Sequence, residues 1–168
     1  MKLQIKSLVY FFSLLISTFS FAQKKVASPA ETVSGKINGA TITIKYGSPS
    51  VKGRAIWGAL VPYDKVWRAG ANDATTFETD KTITIEGKQL PAGKYSFFVI
   101  PNEKESIVIF NKEAKQWGSY DYKESNDQLR VVVNNKKADA LVEKLEYKIQ
   151  ENKIELCWEN WIIGFEVK

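Results

Sequence analysis

Apolar and polar residues alternate with a period of two along most of this chain, and no other feature restricts its possible folds as strongly. Ile42, Ile44 and Tyr46, for example, are separated from one another by polar residues. Such alternation predicts a half-buried β-strand, because successive side chains of a strand point to opposite faces of the sheet. Helical periodicity is almost absent, so the sequence predicts an all-β protein.

Turn signals divide the alternating segments into short strands. Asn38-Gly39 favours a type I′ hairpin turn, and Glu159-Asn160 is interpreted as another tight turn. A polar stretch at 135–142 looks partly helical. About nine or ten short strands are typical of an antiparallel β-sandwich, and we expect a jelly-roll-like one. The predicted strands are 32–37, 40–46, 75–79, 81–86, 95–100, 106–110, 129–134, 145–149, 153–159 and 161–167.

The centre of the fold is predicted from two apolar segments. Tyr95–Ile100 is apolar on both faces, which is typical of a strand covered on both sides. Ser106–Phe110 has the same character, so we expect the two strands to pair. On this interpretation the core contains Phe97, Val99, Ile107 and Ile109.

Two long segments interrupt the alternation, Tyr46–Thr75 and Asn111–Gln128. The first concentrates Gly, Pro, Trp and Arg where an ordinary connection needs only polar turn residues, and the second contains Trp117-Gly118-Ser119-Tyr120-Asp121-Tyr122. Long irregular segments on a rigid scaffold commonly carry function. These two loops therefore form the candidate functional surface.

The composition excludes several kinds of site. The chain has no histidine, which rules out Ser-His and Cys-His nucleophile pairs and His-containing zinc sites. Acidic residues are scattered singly, and the 24 basic and 19 acidic side chains form no basic stripe. We therefore predict no catalytic residue, no metal ligand, no cofactor and no nucleic-acid partner.

Two further chemical possibilities are weak. Asp73 and Glu78 make a poor acid–base pair, because their spacing places them on opposite faces of an extended chain. Cys157 is the single cysteine, so an intramolecular disulfide is impossible. Glu155 and Glu159 share its predicted strand face and should raise its pKa, which makes it an unreactive thiol.

The N-terminus has the parts of an export signal. Lys2 and Lys6 precede the apolar run Leu8–Phe21, and small residues flank Phe21 before the predicted cleavage after Ala22. The run is shorter than the roughly 20 residues that span a bilayer. We expect a signal peptide over 1–22, a single mature domain over 23–168, no stable membrane span, and a periplasmic or secreted location.

The chain carries a set of specific motifs, of which the most specific is Trp67-Arg68 followed by Gly70-Ala71-Asn72. The others are Gly53-Arg54, Ile56-Trp57-Gly58, Val61-Pro62-Tyr63, Leu90-Pro91-Ala92-Gly93-Lys94-Tyr95-Ser96, and Trp117-Gly118 with Tyr120. This set resembles the pattern of DUF2911, a family of exported bacterial domains of unknown function. The resemblance covers nearly all of the mature chain and implies no established activity.

Residues of the two loops supply a candidate ligand-binding site. Indole rings stack on planar groups or sugar rings, and guanidinium groups donate forked hydrogen bonds to anions. The alternative is that the Trp residues plug one end of the sandwich while the Arg residues hydrogen-bond loop carbonyls. The candidate residues are Arg54, Trp57, Trp67, Arg68, Asn72, Asp73, Trp117 and Tyr120.

The sequence favours a non-enzymatic binding or interaction module of the cell envelope. Its partner would be a small molecule, a glycan or a protein. Two alternatives stay open. One is a hydrolase that works without histidine, through carboxylates or a bound cation, and the other is a purely structural domain.

Overall fold

The computed structural model describes residues 27–168. The predicted signal peptide and its cleavage site lie outside these residues. No helix within 27–168 is long and apolar enough to cross a membrane.

Strands dominate the described part of the chain, which confirms the prediction of an all-β antiparallel fold. The only helical element within residues 27–168 is a short 3₁₀ helix, Glu124–Asn126. The strands are β1 Ala30–Ile37, β2 Ala40–Gly47, β3 Thr75–Thr79, β4 Ile83–Ile85, β5 Lys88–Leu90, β6 Gly93–Pro101, β7 Glu105–Asn111, β8 Asp127–Ile149 and β9 Lys153–Glu166.

Seven strands form one curled antiparallel sheet in the order β1-β2-β3-β6-β7-β8-β9, and β4 and β5 form a small hairpin. The curl arises in β8, because residues 127–134 pair with β7 whereas residues 135–149 pair with β9. A bridge between Ile85 and Val167 joins the hairpin to the end of β9. The sheet thereby folds over its own core in a sandwich-like arrangement.

The turn at Asn38-Gly39 forms as predicted. Both residues have positive φ, 49° and 78°, as a type I′ turn requires. Because this two-residue turn fixes the register of the hairpin, Ile37 lies opposite Ala40 and Val33 opposite Ile44.

Two local predictions were wrong. The stretch 135–142 is not helical but continues β8, and Glu159-Asn160 lies inside β9 rather than in a turn. The reason is irregular pairing: register shifts on either side of Val142 place extra β8 residues opposite β9. Such bulges bend a strand without ending it, and Glu159 takes the left-handed conformation at this point, with φ of 55°.

The core occupies both faces of β6, as expected for a central strand. Phe97 and Val99 are buried in the main cluster, whereas Phe98 and Ile109 form a smaller cluster on the opposite face. Ile109 is buried in the core as predicted but faces away from Phe97, whereas Ile107 is only partly buried, so its placement in the core was wrong. The cause is the register, which pairs Phe98 with Ile109, and directly opposite residues share a face.

Replacing Phe97 with alanine should lower the free energy of unfolding by about 3 to 5 kcal/mol, the usual cost of a buried Phe. Its ring is 2% exposed and contacts the rings of Phe77, Phe110 and Phe165. Chemical denaturation of both proteins measures the loss. Val132→Ala, at a side chain 57% exposed, is the control, and an equal loss in both variants would contradict the placement of Phe97.

Candidate functional site

The first irregular segment, residues 48–74, begins as an extra strand beside β8. Ser50 forms an antiparallel bridge with Lys144. The Ser48 hydroxyl donates to the Leu145 carbonyl at 2.7 Å, and the Val51 amide donates to the Glu143 carbonyl at 2.8 Å. This pairing fixes the backbone from which Arg54 projects.

The next part of the segment is a tight turn held by its own backbone. The Val61 amide donates to the Ile56 carbonyl and the Gly58 amide donates to the Val61 carbonyl, both at 2.9 Å. Ile56 and Val61 are buried in the main core. Their burial holds Trp57, between them, against the main core.

The last part of the segment is fastened to both halves of the curled sheet. Trp67 and Val99 of β6 exchange two backbone hydrogen bonds, at 2.8 and 2.9 Å. The buried Ala69 carbonyl accepts hydrogen bonds from the Thr75 hydroxyl at 3.0 Å and the Tyr147 hydroxyl at 2.8 Å. Burial raises the pKa of Tyr147 well above its ordinary value, so this hydroxyl stays protonated and keeps donating.

Two backbones approach closely at Gly47, the last residue of β2. The Ala71 amide donates to the Gly47 carbonyl at 3.2 Å. A Cβ on Gly47 would lie 2.2 Å from the Ala71 carbonyl oxygen, so only glycine permits this approach. Ala71 lines two neighbouring depressions of the surface and forms the ridge between them.

Four of the five tryptophans form one aromatic group, here called the Trp cluster. Trp67 and Trp158 stack with their centroids 5.8 Å apart, and the Trp57 ring meets both edge-on. Trp161 stacks on Trp57 at 4.6 Å and on Tyr63 at 6.0 Å. Such offset and edge-to-face pairs stabilise beyond the area they bury.

Trp158 and Trp161 were missed as site residues in the sequence. Both were assigned to ordinary strands, Trp158 on the same face as Ile154 and Leu156. The structure places them on one continuous strand, β9, on either side of the irregularity at Glu159. The sequence did contain one signal for them, because two Trp residues three positions apart lie on either side of the expected turn at Glu159-Asn160.

A pocket of about 230 Å³ opens beside the Trp cluster. Here called the Arg pocket, it brings together three of the predicted site residues, Arg54, Trp67 and Arg68. Trp57 lies behind them in the Trp cluster. The complete lining is Ser28, Pro49, Arg54, Leu60, Val61, Trp67, Arg68, Gly70, Ala71 and Trp158.

Both arginines of the pocket hydrogen-bond only to carbonyls within the described residues. Arg54 donates through Nε to the Val51 carbonyl and through Nη2 to the Ser50 carbonyl. Arg68 donates through Nη1 to the Asn72 carbonyl at 2.8 Å. These bonds match the structural role considered for the arginines, yet each guanidinium keeps further N–H groups free.

The third arginine of the chain has a different environment. Arg130 pairs with the carboxylates of Glu124 and Asp127. Neither arginine of the pocket forms an ion pair within residues 27–168. The Arg pocket is thus a site of uncompensated positive charge.

Asn72 and Asp73 lie on the other side of the Ala71 ridge and do not line the Arg pocket. They border a second depression of about 340 Å³ together with Glu31, Lys45 and Lys94. The side-chain amide of Asn72 donates through Nδ2 to the Ser28 carbonyl at 3.2 Å. The structure therefore divides the predicted site residues between two neighbouring surfaces.

Trp117 and Tyr120 lie on the second irregular segment, residues 112–123, and are 59% and 79% exposed. Asp73 and Trp117 form a backbone bridge that joins the two irregular segments. A Cβ on Gly118 would lie 2.9 Å from Nη1 of Arg68. The Trp117–Tyr120 turn therefore rests against Arg68.

Groups capable of metal or thiol chemistry are absent from the Arg pocket. Within residues 27–168, no group of three or more Cys, Asp or Glu side chains could hold a metal ion. Asp73 and Glu78 are both exposed, and Glu78 lies opposite Lys94 across β3 and β6. Cys157 is buried in β9.

Burial raises the pKa of the Cys157 thiol to about 11, Lys148 opposes the shift, and Glu155 and Glu146 add to it. The rise agrees with the sequence prediction for Glu155. The prediction that Glu159 also raises the pKa of Cys157 was wrong, because the strand register places Glu146, and not Glu159, directly opposite Cys157.

Comparison with known proteins gives a family and nothing more specific. The family model DUF2911, described as a protein of unknown function, matches residues 28–167. No curated protein and no solved structure matches the chain significantly.

We expect Cys157 to resist thiol reagents in the native state at pH 8. Its side chain is 1% exposed, and a thiol with a pKa of about 11 is almost entirely protonated at that pH. The measurement is labelling with a chromogenic disulfide reagent, with the protein in guanidinium as the control that reacts fully. Equal labelling rates in the two conditions would contradict the burial of Cys157.

Proposed function

Because the chain belongs to the DUF2911 family, whose function is unknown, we propose a function from the Arg pocket. We propose that the protein is an exported, non-enzymatic binding module. It holds a ring-shaped anionic group between Arg54 and Arg68, against the half-buried ring of Trp67.

The observation that carries this proposal is a pair of guanidinium groups without carboxylate partners at an aromatic pocket. Arg54 is exposed, whereas Arg68 is half-buried. A charged group that is partly removed from water is normally paired, because desolvation is costly. Arg130 follows this rule through Glu124 and Asp127. An anionic ligand would supply Arg54 and Arg68 with the partners that the described residues do not provide.

The free hydrogen-bond donors suit a carboxylate. Arg68 uses Nη1 for the Asn72 carbonyl, which leaves Nε and Nη2. Arg54 uses Nε and Nη2, which leaves Nη1. Guanidinium groups bind carboxylates in a bidentate manner, and charge-assisted hydrogen bonds are stronger than neutral ones.

The size of the pocket suits one ring as the part of the ligand that enters it. Its volume of about 230 Å³ lies below the range of about 300 to 1,000 Å³ typical of sites for drug-sized molecules. The half-buried ring of Trp67 provides an aromatic surface on which a sugar ring or a planar acid can stack, and the buried ring of Trp158 supports it by stacking on it. A ring that carries one carboxylate, such as a uronic acid, satisfies both requirements.

The lining of the pocket supports binding rather than catalysis. The described residues of the lining carry guanidinium, indole and aliphatic groups, and among them Ser28 alone supplies a side-chain hydroxyl. A serine needs a base to act as a nucleophile, and within residues 27–168 no carboxylate or lysine lines the pocket. These residue types hold and orient an anion.

Export belongs to the same proposal, because a periplasmic or secreted module meets sugars and acids of the cell envelope. Its support is the N-terminal pattern of a basic region, an apolar run and small residues before Gln23.

The protein isolated from its native cells should begin at Gln23. Intact mass spectrometry together with N-terminal peptide mapping measures this, and cell fractionation should recover the protein outside the cytoplasm. A native protein that retains Met1 or Lys2 would contradict the proposed export.

Galacturonate should bind the purified protein and change its tryptophan fluorescence, because the Arg pocket adjoins four clustered indoles. Arg68→Ala and Arg54→Ala should each weaken binding by about tenfold or more, since a charged hydrogen bond contributes about 1.5 to 3 kcal/mol. Neutral galactose should bind far more weakly than galacturonate. Titration calorimetry supplies the affinities.

Arg130→Ala is the matched control, because Arg130 lies in ion pairs away from the pocket lining. Its affinity for galacturonate should equal that of the wild type. Unfolding free energies are measured in parallel, and each pocket variant should lose only about 0.5 to 1.5 kcal/mol per deleted carbonyl bond. Losses of several kcal/mol without an effect on affinity would identify Arg54 and Arg68 as structural residues and refute the proposed function.

A further inference from the structure

We infer that the binding surface extends from the Arg pocket over the turn Trp117–Tyr120, and that its ligand is an acidic oligosaccharide rather than a free monosaccharide. The inference rests on the proposed function. It assigns a second subsite to residues that do not line the pocket.

Arg68 connects the two subsites. It lines the Arg pocket, and its Nη1 donates to the Asn72 carbonyl at 2.8 Å. The same Nη1 lies 2.9 Å from the position that a Cβ on Gly118 would occupy. Gly118 has a φ of 65°, and its missing side chain allows the turn to pack directly on the guanidinium group.

The two aromatic side chains on either side of Gly118 point away from the core. Trp117 is 59% exposed and Tyr120 is 79% exposed, whereas the other four tryptophans pack together in the Trp cluster. The Tyr120 ring lies 3.0 Å from the Cβ position of Gly118. An exposed aromatic pair next to a charged pocket is a surface suited to stacking.

The turn is held in place rather than free. The Ala74 amide donates to the Gln116 carbonyl at 3.0 Å, and Asp73 bridges Trp117. Beyond the turn, the Tyr122 hydroxyl donates to Asp127 at 2.6 Å, and its ring packs on Phe98. Rigid support of this kind lowers the entropy cost of binding.

Charge and ring chemistry together select the occupant. The Arg pocket has two guanidinium groups without carboxylate partners, so it takes an acidic unit. Trp117 and Tyr120 offer exposed aromatic rings, so they take the ring of a neighbouring unit by stacking. A chain of uronic acid units presents both features at adjacent positions, and the pocket volume of about 230 Å³ admits one unit.

The test compares galacturonate, digalacturonate and trigalacturonate by titration calorimetry. Wild-type protein should bind the trimer at least tenfold more tightly than the monomer. Trp117→Ala and Tyr120→Ala should remove most of this gain and leave the monomer affinity unchanged. Val132→Ala removes an exposed side chain from a β8 position outside the pocket lining, and it should keep the gain.

Failure of this inference differs from failure of the proposed function. Equal affinity for monomer and trimer, with Arg68→Ala still weakening both, would overturn the second subsite and keep the pocket. Tighter binding of neutral trigalactose or of a short oligothymidylate than of trigalacturonate would overturn the acidic saccharide. Absence of binding by all three galacturonates would overturn both proposals.

Discussion

The Ala69 carbonyl is the point on which the geometry of the candidate site depends. It accepts hydroxyl hydrogen bonds from Thr75 of β3 and Tyr147 of β8, which belong to different halves of the curled sheet. Ala69 is completely buried and adopts a left-handed φ of 51°. This backbone conformation costs on the order of 1 to 3 kcal/mol for a residue other than glycine. Two buried hydrogen bonds offset that cost and fix the adjacent Arg68.

The structural and binding roles of the first irregular segment are compatible with each other. Trp57 and Trp67 pack against the main core, and Arg54 and Arg68 donate hydrogen bonds to loop carbonyls. The same contacts restrict the guanidinium groups before any ligand arrives, while leaving some of their donors free. A site whose charged groups are already oriented loses less entropy on binding than a flexible one.

The sequence predicts the class of fold well, because period-two alternation follows directly from strand geometry. It predicts β3 and the Asn38-Gly39 turn closely, since both depend on local residues. The sequence does not predict the long-range register of the strands. Pairing with Phe98 sets the face on which Ile109 lies, and bulges opposite β9 allow β8 to continue as one strand. The bend that these bulges produce brings Trp158 into stacking contact with Trp67, and no local sequence pattern encodes this contact.

The division of the predicted site residues explains why only one of the two depressions favours anions. The Ala71 ridge, held by its close contact with Gly47, separates Asn72 and Asp73 from Arg68. On their side, Glu31 and Asp73 offset Lys45 and Lys94, so the net charge of the lining is balanced. On the other side, no carboxylate of the described part of the chain lines the pocket beside the arginines. One glycine contact therefore keeps the carboxylate of Asp73 out of the Arg pocket and preserves its positive charge for a ligand.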